Sequence, residues 1–322
     1  MTREADEARS GGDGPRRVLV ITHTGRPEGS DLAREITKRL TVAGIRVRML
    51  SAEASDLGLG DDHIDIVDED PGRGCEVALA IGGDGTILRA AEVTRPSGTP
   101  LLGINLGHVG FLAEAESEDL EALVNAVITG AYVVEERLTI EVLASWDGKV
   151  QSRGWALNEA SIEKTSKERM LEVVVEVDSR PLSRWGCDGV VFATPTGSTA
   201  YAFSAGGPVV WPEVEALLLV PLSAHALFAR PMVTAPSSRL SVEVLTSNVD
   251  GAVLWCDGRR TLALPPGSRV EATGSGQPVR LARLRSDPFG DRLVVKFDLP
   301  VTGWRGTRRR RNRIEKSLGD DA

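Results

Sequence analysis

The stretch Val77-Ala78-Leu79-Ala80-Ile81-Gly82-Gly83-Asp84-Gly85-Thr86-Ile87-Leu88-Arg89-Ala90-Ala91 decides the fold. Five apolar residues of strand length run into a glycine turn, and a helical pattern begins directly after it. A buried strand, a glycine turn and a helix start form a cradle for phosphate. Bare glycines let the backbone approach a ligand, and the first helix N–H groups point at an anion. Asp84, at the centre of the cradle, is the unusual element. A carboxylate beside phosphates is repulsive unless it binds a cation or accepts a proton, which argues for phosphoryl chemistry over passive phosphate holding. The competing reading is an ordinary turn aspartate, since Gly-Asp-Gly is also good turn chemistry.

Working outward, the pattern repeats. Arg17–Ile21 reads as a buried strand, and Ser30 is placed to cap a helix whose apolar face is Leu32, Ile36, Leu40 and Ala43, ended by Gly44. Ile45–Met49 is a second strand, and Leu101–Phe111 is a further strand and turn. Ser117 is placed to cap a helix carrying Leu120, Leu123, Val124, Val127 and Ile128, closed by Gly130. Alternating strands and helices predict a Rossmann-like parallel α/β domain over 16–131, with ligands at the strand C-terminal ends. After Tyr132 the rhythm changes to short alternating strands, at 139–144, 171–177, 240–245 and 280–284, separated by turns such as Asp147-Gly148. This predicts an all-β, sandwich-like domain over 132–285. Leu293–Phe297 reads as one more strand, within a segment 286–304. Residues 1–15 and the arginine-rich 305–322 read as disordered tails.

The bulk properties of the 322 residues fit a two-domain globular protein, with 41% hydrophobic and 26% charged residues. A net charge of −8 argues against a general nucleic-acid binder. The three cysteines, Cys75, Cys187 and Cys256, have neither zinc nor disulfide-framework spacing, so a reduced, cytoplasmic setting is the simplest reading. No apolar run is long enough to cross a membrane, and the charged N-terminus lacks a signal peptide's apolar core. His23, His63 and His108 show no ligand spacing, so no protein-only metal site is expected. A P-loop NTPase motif, a complete dinucleotide fingerprint and a His-Glu-x-x-His pair are all absent.

A second glycine-rich segment is more specific than the first: Thr194-Pro195-Thr196-Gly197-Ser198-Thr199-Ala200-Tyr201-Ala202-Phe203-Ser204-Ala205-Gly206-Gly207-Pro208. With the Gly82–Thr86 loop, Asn158-Glu159 and Asp188-Gly189, in that order, it resembles the NAD kinase family, and most closely the actinobacterial type. The resemblance runs from about Arg17 to Gly306 and implies that the chain's end returns to the first domain. It implies that Asp84 is catalytic, activating the 2′-hydroxyl of the adenosine ribose of NAD. Gly82, Gly83, Gly85, Thr86 and Arg89 would line the phosphates of the donor, ATP or polyphosphate. NAD itself would meet Asp84, Gly85, Asn158, Glu159, Asp188, Thr199, Ala200, Tyr201, Ser204 and Arg169. Mg²⁺ would be held through donor phosphates near Asp84, and the enzyme would be a homo-oligomer, dimer or tetramer.

Bland readings stand beside several of these assignments. Arg89 is equally a surface ion-pairing arginine, and Arg169 a solvated charge in Lys164–Arg169. His225 reads as a structural histidine near a subunit or domain contact. Three rivals stay open: a lipid or sugar kinase sharing the first loop, a non-catalytic NAD(P)-sensing module, and a nucleic-acid partner for the arginine tail.

Overall fold

The computed structural model describes residues 15–60, 63–106, 110–116, 120–284 and 288–301. His108, Ser117 and both terminal tails read from the sequence lie outside the described residues. The first sheet has eight strands. Those preceding the all-β region are β1 (Arg17–Thr22), β2 (Arg46–Met49), β3 (Ile64–Ile66), β4 (Val77–Ile81), β5 (Leu101–Asn105), β6 (Ala113–Glu116) and β7 (Val133–Arg137). The order is β3-β2-β1-β4-β5, then Val279–Arg283, then β7, with β6 paired to β5. All pairings are parallel except that of β7 with Val279–Arg283.

Both faces of this sheet are covered, which is why its strands read as unbroken apolar runs. On one face α1 (Pro27–Val42) and α4 (Leu120–Thr129) bury Ala33, Ile36, Leu40, Leu123, Val124 and Val127, joined by Leu57 of α2 (Ser51–Leu57). On the other face α3 (Asp84–Thr94) sets Ile87, Ala90 and Ala91 against Leu19, Ala78 and Leu101. That cluster also takes in Leu157 of the all-β region, with Trp155 packed on it.

The remaining strands form two six-stranded antiparallel sheets. One contains β10 (Glu159–Lys164), β13 (Gly189–Ala193), β14 (Leu217–Leu222), β15 (Met232–Thr234), β17 (Ala252–Cys256) and β18 (Arg260–Leu264). The other contains β8 (Ile140–Trp146), β9 (Lys149–Ala156), β11 (Leu171–Val177), β12 (Arg180–Cys187), β16 (Leu240–Val244) and β19 (Arg269–Gly274). Inward residues of both, among them Val142, Val173, Trp185, Phe192, Leu219 and Val242, share one core, so the α/β-plus-sandwich expectation holds.

Four local expectations differ from what is found. Leu293–Phe297 is part of a helix, α6 (Phe289–Phe297), because Phe289, Leu293 and Phe297 recur every fourth residue on one face while Val295 is exposed. Ser30 lies inside α1, which starts at Pro27. Proline is pre-set for the first helical position, and the Ser30 hydroxyl instead donates to the Thr24 carbonyl. Ala43 is exposed, and Thr37 takes its place on the buried face. Val133–Arg137 and β20 (Val279–Arg283), read as part of the all-β region, pair with each other, and β20 reaches β5 in the first sheet. The return to the first sheet therefore comes before residue 286.

Candidate active site

The glycine cradle is built at the C-terminal end of β4. The N–H of Gly82 donates to the Ile104 carbonyl at 2.9 Å, tying the loop to β5. Gly82 has φ +152, and a Cβ there would collide with Thr86 Oγ1, so both its conformation and its crowding require glycine. Asp84 is the first residue of α3, where the helix dipole favours a negative charge. Its Oδ1 is buried and has no hydrogen-bond partner among the described residues. Gly110 lies against that oxygen so closely that a Cβ there would overlap it. An orphaned carboxylate oxygen beside helix N–H groups is the natural seat of a substrate hydroxyl or a hydrated cation.

Arg89 is one turn further on, and its guanidinium is engaged by protein. It forms an ion pair with Glu53 and donates to the Thr22 carbonyl at 3.0 Å. Glu53 is 3% exposed, accepts the Thr22 N–H at 3.0 Å, and is pushed up from the usual carboxylate range by burial, against the pull of Arg89. No sequence signal marked Glu53.

Asn158-Glu159 lies where β9 gives way to β10. The Asp257 carboxylate accepts the N–H groups of Leu157 at 3.0 Å and Asn158 at 2.7 Å, and the Asp257 N–H donates to the Glu159 carbonyl at 2.9 Å. Gly197 packs on the Asn158 carbonyl with no room for a Cβ. The Thr194 hydroxyl donates to the Leu157 carbonyl at 2.6 Å. Glu159 is 8% exposed and accepts the Tyr201 N–H, while its Oε2 is buried without a partner among the described residues. Burial, then the neighbouring Asp257, pushes its carboxyl up to about 8. Asp257 is also raised by burial, but the backbone N–H groups of Leu157, Asn158 and Glu159, and Arg260, favour its ionised form, so Glu159 is the member that keeps the proton. Asp257 was missed from sequence, although Asp257-Gly258 repeats the Asp-Gly pairing of 188–189.

The segment 194–204 is a 3₁₀ turn over Thr196–Thr199 followed by a short α5 (Tyr201–Ser204). The fully buried Ser198 hydroxyl accepts the Val210 N–H at 2.9 Å and donates to the Pro195 carbonyl at 2.7 Å, fixing the loop from beneath. Thr199 and Ala200 are half-buried, whereas Tyr201 and Ser204 are exposed. α6 braces this segment, with Phe203 stacked on Phe297 at 4.5 Å, and Phe289 of the same helix meets Phe111 at 6.0 Å.

Partial desolvation pushes the Tyr201 hydroxyl up, and Asp188 lies near enough for its charge to help. Asp188 pairs with Lys164 at 2.5 Å, which holds its carboxyl below the usual range. Arg169 is exposed beside Lys164, on a recess of about 280 Å³ that also includes Glu172, Asn248 and Asp250. His225 is exposed, and its N–H donates to the Gly186 carbonyl at 2.8 Å.

Residues 18–132 match the model of the ATP-NAD kinase N-terminal domain, and residues 157–284 that of the ATP-NAD kinase C-terminal domain. The chain belongs to the NAD kinase family. Among curated relatives of this family, NAD kinase 2 of Streptomyces coelicolor is 58% identical over 294 residues, 90% of this chain and 97% of that one. The NAD kinase of Thermobifida fusca is 58% identical over 300 residues, covering 90% and 92% of the two chains. A solved NAD kinase from Archaeoglobus fulgidus in complex with ATP aligns with TM-score 0.67 and 26% identity, over 88% of this chain and 98% of that one. Yeast NADH kinase complexed with NADH shares the fold, with TM-score 0.81 and 22% identity over 90% of each chain.

Proposed function

We propose that this chain transfers the terminal phosphoryl group of ATP to the 2′-hydroxyl of the adenosine ribose of NAD, giving NADP and ADP. Membership of the NAD kinase family supports the reaction. The orphaned Asp84 Oδ1 at the start of α3 is the single observation that carries the assignment of roles. In this reading Asp84 takes the proton of the 2′-hydroxyl as that oxygen attacks the γ-phosphorus and the bond to the β,γ-bridging oxygen breaks. The N–H groups at the start of α3, with Gly82, Gly83, Gly85 and Thr86, hold the donor phosphates. Arg89 reaches them only by leaving Glu53. Asn158 and the protonated Glu159 bind the acceptor's adenosine part with Thr199, Ala200, Tyr201 and Ser204. Asp188 receives the nicotinamide end, and Arg169 serves at the margin.

The described residues contain no cluster of three metal-ligating side chains. The orphaned Asp84 oxygen fits Mg²⁺, which keeps most of its waters and binds through one or two carboxylates plus phosphates. When bound it would neutralise charge developing on the transferring group. Buried free thiols at Cys75, Cys187 and Cys256 support a reduced cytoplasmic setting. No described helix is long and apolar enough to cross a membrane. The exposed Leu227 and Phe228 support a homo-oligomer, which sedimentation would test.

The test is NADP formation from NAD with Mg²⁺ and either ATP or polyphosphate, for wild type and Asp84→Asn. Turnover with ATP that the variant loses is the expected result. Failure with both donors, despite NAD binding, would favour the sensing module.

A further inference from the structure

The donor cradle and the acceptor pair belong to different units of the fold, yet transfer needs their reacting atoms held at about 3–3.5 Å. Asp84 opens α3, and Glu92 lies on the same helix roughly 12 Å along its axis. Glu92 Oε1 pairs there with Arg259 at 3.0 Å and Arg260 at 3.2 Å. Arg260 in turn holds Asp257 at 2.6 Å, and Asp257 grips the backbone N–H groups of Leu157 and Asn158. The Asp257 side chain is only 2% exposed, so this is no solvated surface pair. The Arg260 guanidinium also lies 4.5 Å over the Trp155 ring, and Arg95, which follows α3 directly, lies 4.4 Å over the same ring. Trp155 belongs to β9, three residues before Asn158.

We propose that Glu92, Arg260 and Asp257 form a positioning relay that sets the acceptor pair Asn158-Glu159 in register with the donor cradle through the far end of α3. The inference rests on the kinase reading above. None of the three residues touches the reacting atoms. Arg260 is the central member, because it forms an ion pair with Glu92, hydrogen-bonds Asp257 and lies over the Trp155 ring. The relay acts on the acceptor and leaves the cradle itself intact.

The experiment uses the full chain, with NAD affinity read by calorimetry without donor and steady-state kinetics read separately. Arg260→Met should weaken NAD binding about tenfold, a coupling typical of groups in one salt-bridge network. It should lower kcat as well, yet leave KM for ATP within about twofold of wild type. Arg260→Lys should recover part of the loss. Glu92→Gln should act in the same direction but more weakly, and the double variant should be no worse than Arg260→Met alone. Glu92→Gln alone carries the test if the arginine variant does not fold. Unchanged NAD affinity in both single variants would overturn the relay. So would additive losses, or KM for ATP and melting temperature falling into line with KM for NAD. A wild type that binds NAD without phosphorylating it would overturn the kinase reading, while calorimetry would still judge the relay.

Discussion

Asp84 and Glu159 are two carboxylates that each keep one buried oxygen without a partner among the described residues, in different surroundings. Asp84 stands on a glycine loop at a helix N-terminus, with Gly110 clearing space beside its oxygen. Glu159 stands at the start of a strand, with Asp257 close by and the Tyr201 N–H on its carboxyl. A helix N-terminus favours charge, whereas burial beside another acid favours a proton. The loop that carries Asp84 is glycine-rich, and Gly82 has no room for a side chain. The Asn158-Glu159 pair is held in place by Asp257, Thr194 and Gly197.

Replacing Asp84 should break the contrast most severely. Asp84→Asn should lower turnover by about 10²–10⁴-fold with an unchanged melting temperature. Gly110→Ala tests whether the room beside Asp84 matters. The new methyl would displace the carboxylate, and a misplacement near 1 Å costs about 10²-fold in kcat. On the other side of the comparison, Glu159→Gln should change the pH dependence of stability. Folded Glu159 keeps its proton to about 8, against 4.5 for an ordinary glutamate, so the native state binds the extra proton between those values. Wild-type stability should therefore fall as pH rises from about 4.5 to about 8, by a few kcal/mol at most. Thermal melts of the glutamine variant should lack that slope. The smallest effect is expected for Phe297→Leu, which removes the stack on Phe203 and should cost about 0.5–1.5 kcal/mol in stability.

Much of the donor side was legible in the sequence because its signals are local. A strand, a glycine turn and a helix follow one another within fifteen residues, and the motif order places the second glycine segment. The acceptor side depends on contacts between distant strands. Asp257 reaches Asn158 across the β10–β17 ladder, and Glu53 reaches Arg89 from another helix, so neither carries a signature of its own. Leu293–Phe297 misled for a related reason. Two adjacent valines suggest a strand, whereas the fourfold spacing of Phe289, Leu293 and Phe297 follows from which face α6 turns to Phe111 and Phe203.

The place of β20 has a consequence for how the chain is made. Among the described residues strand β7 pairs only with β20, Val133 opposite Arg283, so everything between them is threaded as one long excursion from the first sheet. On a ribosome the N-terminal strands emerge early, yet their sheet cannot be finished until Val279–Arg283 has been synthesised. Until then β7 waits unpaired, and part of β5 stays an open edge able to join a neighbouring nascent chain. A premature stop before residue 279 would make that wait permanent, leaving a product prone to aggregate even though every residue of the glycine cradle is present.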